Sequence, residues 1–257
     1  MVINYNQFHT LASFTFARYR FDMDWFDRLQ LFSPWDYGAI TLLFGSWVII
    51  GYLIESPPKT RPSVSVLMAQ YRRDWMVQMI TRQPRIFDAQ ILATLRQGTS
   101  FFASATMIAI GGCLALFGNM EHFIGVAEDL TLEADPTIVW EIKVLVLLIF
   151  LANGFLKFVW SNRLFGYCAV LMAAVPNDPE NPLGPTRASK AGEINITAAR
   201  GFNRGLRSVY FALASTVWLL GAGALIVAVA FTCLVLLRRE FASQSRAVLL
   251  WPEDSQP

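Results

Sequence analysis

Residues 99–118 read TSFFASATMIAIGGCLALFG, and none of these twenty residues is Asp, Glu, Lys or Arg. Residues 37–54 and 209–237 also lack charged side chains, and a fourth apolar stretch, residues 144–156, is bounded by single lysines. A helix needs about 20 apolar residues to cross the hydrocarbon core of a bilayer. The sequence therefore predicts an all-α, polytopic membrane protein. Its four-helix transmembrane domain covers residues 36–238, with spans at about 37–54, 99–118, 142–162 and 209–237.

The composition supports a membrane location and argues against several partners. Hydrophobic residues make up 54% of the 257 residues and charged residues 16%, and the mean hydropathy is +0.42. This is more apolar and less charged than an average soluble domain. The net charge of +2 is small, and no basic tract is interleaved with base-stacking aromatic residues, so nucleic acid is not expected as a partner. The three cysteines stand apart without a CxxC pair, which is typical of small apolar residues.

The charges between the spans predict their orientation. Residues 55–98 carry seven Lys and Arg residues against three acids, and residues 157–208 carry the same numbers. Residues 119–142 carry six acids and neither Lys nor Arg. Because cytoplasmic loops are enriched in Lys and Arg, loops 55–98 and 163–208 are predicted to be cytoplasmic, and the acidic segment is predicted to be translocated.

Both ends of the chain are then expected outside the cytoplasm. Residues 1–35 are predicted to form an N-terminal amphipathic segment, and residues 239–257 an external C-terminal tail. The basic residues Arg238 and Arg239, directly after the last span, oppose the second assignment. Within the first cytoplasmic loop, residues 64–80 place apolar side chains on one helical face, which predicts an interfacial amphipathic helix.

Three strings carry a resemblance to a known family. In chain order they are RRDWMVQMITRQPRIFDAQILATLRQGTSFFASATMIAIGGCLALFG, WEIKVLVLLIFLANGFLKFVWSNRLFGYCAVLMAAVP and GFNRGLRSVYFALA. Taken over about residues 72–237, the chain resembles an uncharacterised integral membrane family of bacteria and plants, catalogued as domain of unknown function 599. The resemblance implies a four-helix membrane architecture but no activity. We expect a location in the bacterial inner membrane with both termini outside.

Arginine, tryptophan and asparagine residues concentrate at the predicted cytoplasmic boundary of the membrane. Arg200, Arg204 and Arg207 are spaced i, i+4 and i+7 and therefore share one helix face. Arginine binds phosphate oxygens in a bidentate manner, and anionic lipid head groups lie at this depth. The predicted ligand or lipid head-group site consists of Arg72, Arg73, Trp75, Arg96, Arg163, Asn203, Arg204 and Arg207.

Two explanations of these arginines remain open. Positive-inside topology alone requires cations at this boundary, and Asp74, Asp88 and Glu193 could neutralise several of them internally. The functional explanation is a membrane scaffold or accessory factor. Its arginines would engage anionic membrane lipids, a membrane-protein partner or a second copy of the chain.

The alternative class is a small oligomeric channel or transporter. Asn153 lies in the middle of the third span, and a pore would require a polar stripe from Ser104 and Asn153 along a common axis. An enzyme is not favoured, because GxSxG, HExxH, Walker and dinucleotide motifs are missing. His9 and His122, the only histidines, do not share a helix face within the membrane, so neither a metal site nor a cofactor is expected.

Overall fold

The computed structural model describes residues 29–120, 124–125 and 136–252, and the regular elements in these ranges are helices. The predicted all-α class is therefore confirmed. The elements are α1 (Pro34–Glu55), α2 (Val64–Thr81), α3 (Ile86–Gly118), α4 (Thr137–Ala173), α5 (Leu183–Thr216), a 3-10 turn (Val217–Leu220), α6 (Ala222–Phe241) and α7 (Gln244–Leu249). Residues 1–28 of the N-terminal segment, the centre of the acidic segment and both histidines lie outside the described residues.

Among the described residues, four helical segments are long and apolar enough to cross a membrane. They are Pro34–Glu55, Ile86–Gly118, Thr137–Ala173 and Ala222–Leu249. This confirms the polytopic membrane class. The first three contain the predicted spans, and the predicted interfacial segment, residues 64–80, forms the helix α2.

Local sequence sets the helix boundaries at the first loop. α1 begins with a capping box, in which Asp36 Oδ2 accepts from Ser33 N at 3.0 Å and Ser33 Oγ accepts from Asp36 N at 3.3 Å. α2 begins after Ser63, whose hydroxyl accepts from the first turn of α2 and donates to the carbonyl oxygen of Ile54 at 2.7 Å. This bond holds the start of α2 against the end of α1.

α4 and α5 form an antiparallel hairpin, the most extensive helix pair among the described residues. Small residues allow their close approach: a Cβ added at Gly154 would lie 3.4 Å from the carbonyl oxygen of Gly205, and one at Gly201 would lie 3.5 Å from Ser161 Cβ. Ser161 Oγ also donates to the carbonyl oxygen of Ala198 at 2.7 Å. Glycine and serine bring two helices into contact in this way throughout membrane proteins.

The other helices pack around this hairpin. α3 packs against α4 and α2 against α5, while α1 and α6 pack on each other and against the C-terminal half of α5. Phe150, Phe211 and Leu225 are almost fully buried where α1, α4, α5 and α6 meet. This hydrophobic cluster surrounds the C-terminal half of α5, and a second one, with Met76, Met79 and Phe165, packs against its N-terminal half.

The predicted fourth span, residues 209–237, is divided between two helices. Residues 209–216 complete α5, the 3-10 turn follows, and Gly221 adopts a φ of 104° before α6 begins. Such a positive φ favours glycine, because a Cβ would clash with the backbone. The structure thus corrects the predicted boundary: the fourth candidate span begins at Ala222. The C-terminal half of α5, with the buried Arg207, instead passes through the bundle interior.

Contacts define the two ends of the bundle. At one end, the turn end, Trp218 Nε1 donates to Asp36 Oδ1 at 2.8 Å and joins the 3-10 turn to the start of α1. At the other, the basic end, Arg246 Nε of α7 donates to the carbonyl oxygen of Pro62 at 2.9 Å. α7 therefore lies at the opposite end of the bundle from Pro34, because α1, α3, α4, α5 and α6 run between the two ends. The orientation of the two termini relative to a membrane stays a prediction.

Cysteine labelling tests this arrangement in a variant without the native cysteines. With a membrane-impermeant maleimide applied to intact and permeabilised cells, we expect Thr60→Cys and Ala247→Cys to react from one side and Gln30→Cys from the other. All three positions are exposed. The reason is that an odd number of helical passages places the two ends of the chain on opposite sides. Labelling of Gln30→Cys and Ala247→Cys from the same side would contradict the bundle.

Candidate functional site

A cavity of about 580 Å³ opens at the basic end, between α2, α3, α5, α6 and the start of α7. Its walls combine apolar side chains, such as Phe165, Phe202 and Leu206, with charged and polar ones. The charged residues in the lining are Glu55, Arg72, Arg73, Arg200, Arg207, Arg239 and Glu240. The polar residues include Ser65, Asn203, Ser243 and Ser245. We call this cavity the basic cavity.

Glu55, the last residue of α1, binds two arginines of α5. Arg204 Nε donates to both carboxylate oxygens, at 2.9 and 3.1 Å, and Arg207 Nη2 donates to Glu55 Oε1. The Arg207 side chain is 6% exposed, so its charge depends on this carboxylate for compensation. Glu55 thus ties α1 to α5 and neutralises part of the positive charge in the cavity wall.

Glu240, in the last turn of α6, joins three helices at the cavity. Its Oε2 accepts from Ser65 N at 3.1 Å and from Ser65 Oγ at 3.0 Å, in the first turn of α2. The backbone N–H groups and dipole of a helix start stabilise a carboxylate there. Asn203 Nδ2 of α5 donates to Ser65 Oγ at 3.4 Å, and Arg239 Nη2 lies 3.5 Å from Glu240 Oε1. The network connects α2, α5 and α6.

Arg72 of α2 lines the cavity without a carboxylate partner among the described residues. Its guanidinium donates to Oδ1 of the fully buried Asn195, whose Nδ2 donates to Cys168 Sγ at 3.5 Å. Burial lowers the pKa of Arg72 below its ordinary value, because desolvation disfavours the charged form. An anion in the cavity would offset this desolvation.

Positive charge exceeds negative charge around the cavity. Arg73 Nε pairs with Glu193 Oε1 at 2.7 Å, but both side chains are about half exposed, which makes the pair weak. Arg200 forms no ion pair within the described part of the chain. With the ion-pair partners included, the six arginines are Arg72, Arg73, Arg200, Arg204, Arg207 and Arg239, and the three glutamates are Glu55, Glu193 and Glu240. The surplus is three positive charges.

The structure brings together four of the eight predicted site residues. Arg72, Arg73, Asn203 and Arg207 line the basic cavity. Arg204 lies on the other side of the pair formed by Glu55 and Arg207, where it lines a separate pocket of about 250 Å³ with Lys157 and Asn153. The arginines of α5 therefore face two different spaces.

Trp75, Arg96 and Arg163 lie outside the basic cavity. Trp75 Nε1 donates to Oδ1 of the buried Asp88 at 2.7 Å and holds α2 against α3. Arg96 lines a third pocket, of about 320 Å³, together with Arg85. Arg163 Nε donates to the hydroxyl of Tyr167, one turn further along α4, at 2.5 Å. None of these three side chains lines the basic cavity.

Asn153 takes part in helix packing between α4 and α5. Its Oδ1 accepts from Ser208 Oγ at 2.9 Å. Ser104, the other residue of the polar stripe expected for a pore, is exposed on α3. The polar stripe expected for an oligomeric pore stays a prediction.

Sequence reasoning missed Glu55, Ser65, Arg239 and Glu240. Glu55 directly follows the apolar stretch 37–54, and Glu240 is the third residue after the stretch 209–237. This position beside a span was the signal in the sequence that could have identified them as site residues. When the charges of a loop are summed to predict its orientation, an acidic residue in a basic loop only lowers the net positive charge. The sum does not indicate which arginine the acid will contact.

These observations define the class: an all-helical integral membrane protein with an arginine-rich cavity at one end of its bundle. Residues 39–245 match the family model of DUF599, described as a protein of unknown function, and the chain belongs to this family. The match confirms the resemblance carried by the three strings. No curated protein matches the chain. No solved structure matches it either.

Proposed function

We propose that the protein binds the anionic, phosphate-bearing head group of a membrane lipid in the basic cavity and acts as a membrane scaffold or accessory factor. Arg72 carries the proposal: this half-buried guanidinium donates to a neutral amide and has no carboxylate partner in the described ranges. Uncompensated buried charge is unfavourable, so such a side chain is best explained by a ligand of opposite charge. The surplus of three positive charges supports the same conclusion.

Phosphate suits the donors in the cavity wall. A guanidinium can give two parallel N–H bonds to a phosphate, and Arg72, Arg73 and Arg200 all line the same space. The hydroxyls of Ser243 and Ser245 can donate to the remaining oxygens. A site with several arginines and adjacent hydroxyl groups is typical of phosphate recognition.

The position of the cavity favours a lipid as the source of the phosphate. Its lining includes Glu55, at the end of the apolar helix α1, and Gly98, directly before the uncharged stretch 99–118. Lipid head groups lie at such a boundary between apolar and charged residues. α3 packs on α4, whereas α6 packs on α1 and α5. Because α3 and α6 do not pack closely on each other, the side of the cavity between them is open.

Native mass spectrometry of the purified protein with added lipid tests the proposal. We expect the double variant Arg72→Gln with Arg200→Gln to bind anionic lipid at least about tenfold more weakly than the wild type, because each charge-assisted hydrogen bond contributes about 1.5–3 kcal/mol. Arg163→Gln with Arg187→Gln is the matched control, because it removes the same charge outside the cavity lining. We expect it to bind as the wild type does.

Three outcomes would contradict the proposal. Unchanged lipid binding by the double variant would mean that these arginines serve topology alone. An equal loss in the control would indicate general attraction to an anionic surface. Displacement of the lipid by inorganic phosphate at equal concentration would identify a soluble anion as the ligand.

A further inference from the structure

We propose that the lipid held in the basic cavity ends in a phosphate monoester, so that the phosphate itself is the head group. This inference rests on the proposed function and adds the class of ligand. A phosphate monoester carries a charge of about −1.5 to −2 at neutral pH, whereas a phosphate diester carries a single negative charge. The surplus of three positive charges around the cavity matches the monoester more closely.

The two carboxylates in the cavity wall already accept hydrogen bonds from the protein's own donors. Glu55 accepts from Arg204 and Arg207, and Glu240 accepts from Ser65 and lies beside Arg239. A diester head group usually carries an ammonium or hydroxyl substituent, and these groups need acceptors when they are enclosed. A bare phosphate mainly needs donors, and the guanidinium groups of Arg72 and Arg200 supply them.

The unused donors approach the cavity from several helices. Arg72 and Arg73 belong to α2, Arg200 belongs to α5, and Ser243 and Ser245 lie at the start of α7. Each guanidinium has five N–H donors. Within the described ranges, the Arg72 guanidinium makes one hydrogen bond, to Asn195 Oδ1. A terminal phosphate presents three unsubstituted oxygens and a diester two. The monoester can therefore accept bonds from more of the surrounding helices.

An apolar strip on α5 leads from the cavity toward the turn end. Leu206 lines the cavity, and Leu213, two turns further along the same helix face, is 61% exposed. Phe202 packs against a phenylalanine ring of α3 with centroids 5.6 Å apart, and Tyr210 lies under the guanidinium of Arg239 of α6. The strip thus runs between α3 and α6, where the hydrocarbon chain of a bound lipid would lie.

Titration with two lipids of identical acyl chains tests the inference. Phosphatidic acid ends in a phosphate monoester, and phosphatidylglycerol is a diester with a glycerol substituent. By native mass spectrometry we expect phosphatidic acid to bind about tenfold more tightly, equivalent to one additional charge-assisted hydrogen bond. Arg200→Gln should reduce this preference at least about threefold, while Arg163→Gln should retain it. Thermal unfolding of Arg200→Gln establishes that the variant is folded.

The outcomes separate this inference from the proposed function. Equal affinity for the two lipids, or a preference for phosphatidylglycerol, would overturn the monoester assignment and leave head-group binding intact. Failure of both lipids to bind would overturn the proposed function as well. Inorganic phosphate that competes as well as phosphatidic acid would remove the role of the apolar strip.

Discussion

Replacing Gly205 with alanine is expected to destabilise the protein by about 1–3 kcal/mol, the usual cost of overpacking a well-packed core. A Cβ at this position would lie 2.6 Å from Phe158 Cε1, closer than side-chain carbons approach each other. Phe158 is fully buried, and its ring is held between Phe102, at 5.5 Å, and Phe202, at 5.6 Å. The ring cannot move aside freely, so the α4–α5 hairpin must open. Thermal unfolding in detergent, followed by circular dichroism, measures the effect.

Gly111→Ala is the matched control for Gly205→Ala. Apart from the adjacent backbone of its own helix and its two chain neighbours, no atom lies within 4 Å of a Cβ added at Gly111. Alanine has a higher helix propensity than glycine, so we expect a neutral effect or a gain of up to about 1 kcal/mol. Adding Phe158→Leu to Gly205→Ala should recover part of the lost stability, because it makes room for the new methyl group. If Gly205→Ala unfolds at the wild-type temperature, close glycine packing does not determine this helix pair.

Replacing Glu55 with glutamine is expected to have a larger effect, about 3–5 kcal/mol, the usual cost of removing one partner from a buried ion pair. Glu55 is 16% exposed, and the Arg207 side chain is 6% exposed. Without the carboxylate, Arg204 and Arg207 retain their charges at the end of α1 with a neutral amide between them. Denaturant unfolding of the purified variant measures the loss.

Two further variants make this second prediction specific. Adding Arg207→Met to Glu55→Gln removes the buried charge and should recover much of the stability, so the two effects should not add. Glu193→Gln removes the partner of Arg73 in an exposed pair and should change stability by less than about 1 kcal/mol. Equal effects of Glu55→Gln and Glu193→Gln would show that Arg207 does not depend on Glu55.

The spacing of charges was sufficient to predict the membrane class, and three of the predicted spans lie within helices that are long and apolar enough to cross a membrane. It did not locate the turn at Gly221, because this turn has the same uncharged composition as the helices on either side. The uncharged stretch, residues 209–237, contains the end of α5, the turn and most of α6, which run in opposite directions and join at the turn end. Absence of charge indicates where a chain can contact hydrocarbon, but it does not indicate where the chain reverses.

The sequence predicted which residue types form the candidate site, but it identified only some of the individual residues that line the cavity. Arg72, Arg163 and Arg207 are equivalent in sequence terms, since each lies in a basic segment beside an apolar stretch. In the structure, Arg72 and Arg207 face one cavity, whereas Arg163 bonds to Tyr167 on its own helix. The rotation of each helix about its axis makes this difference, and that rotation is fixed by the neighbouring helices.

The sequence by itself determined that the chain is helical, that it resides in a membrane and that arginines gather at one end of its spans. These properties depend on the free energy of transferring each side chain between water and hydrocarbon. That free energy is set by the residue type and is nearly independent of the neighbouring residues. Only the tertiary structure decided that α5 passes through the bundle and that Glu55 and Glu240 neutralise part of the cavity wall. Glu55 meets Arg207 across 152 positions and Glu240 meets Ser65 across 175, and contacts of that range are set by helix packing.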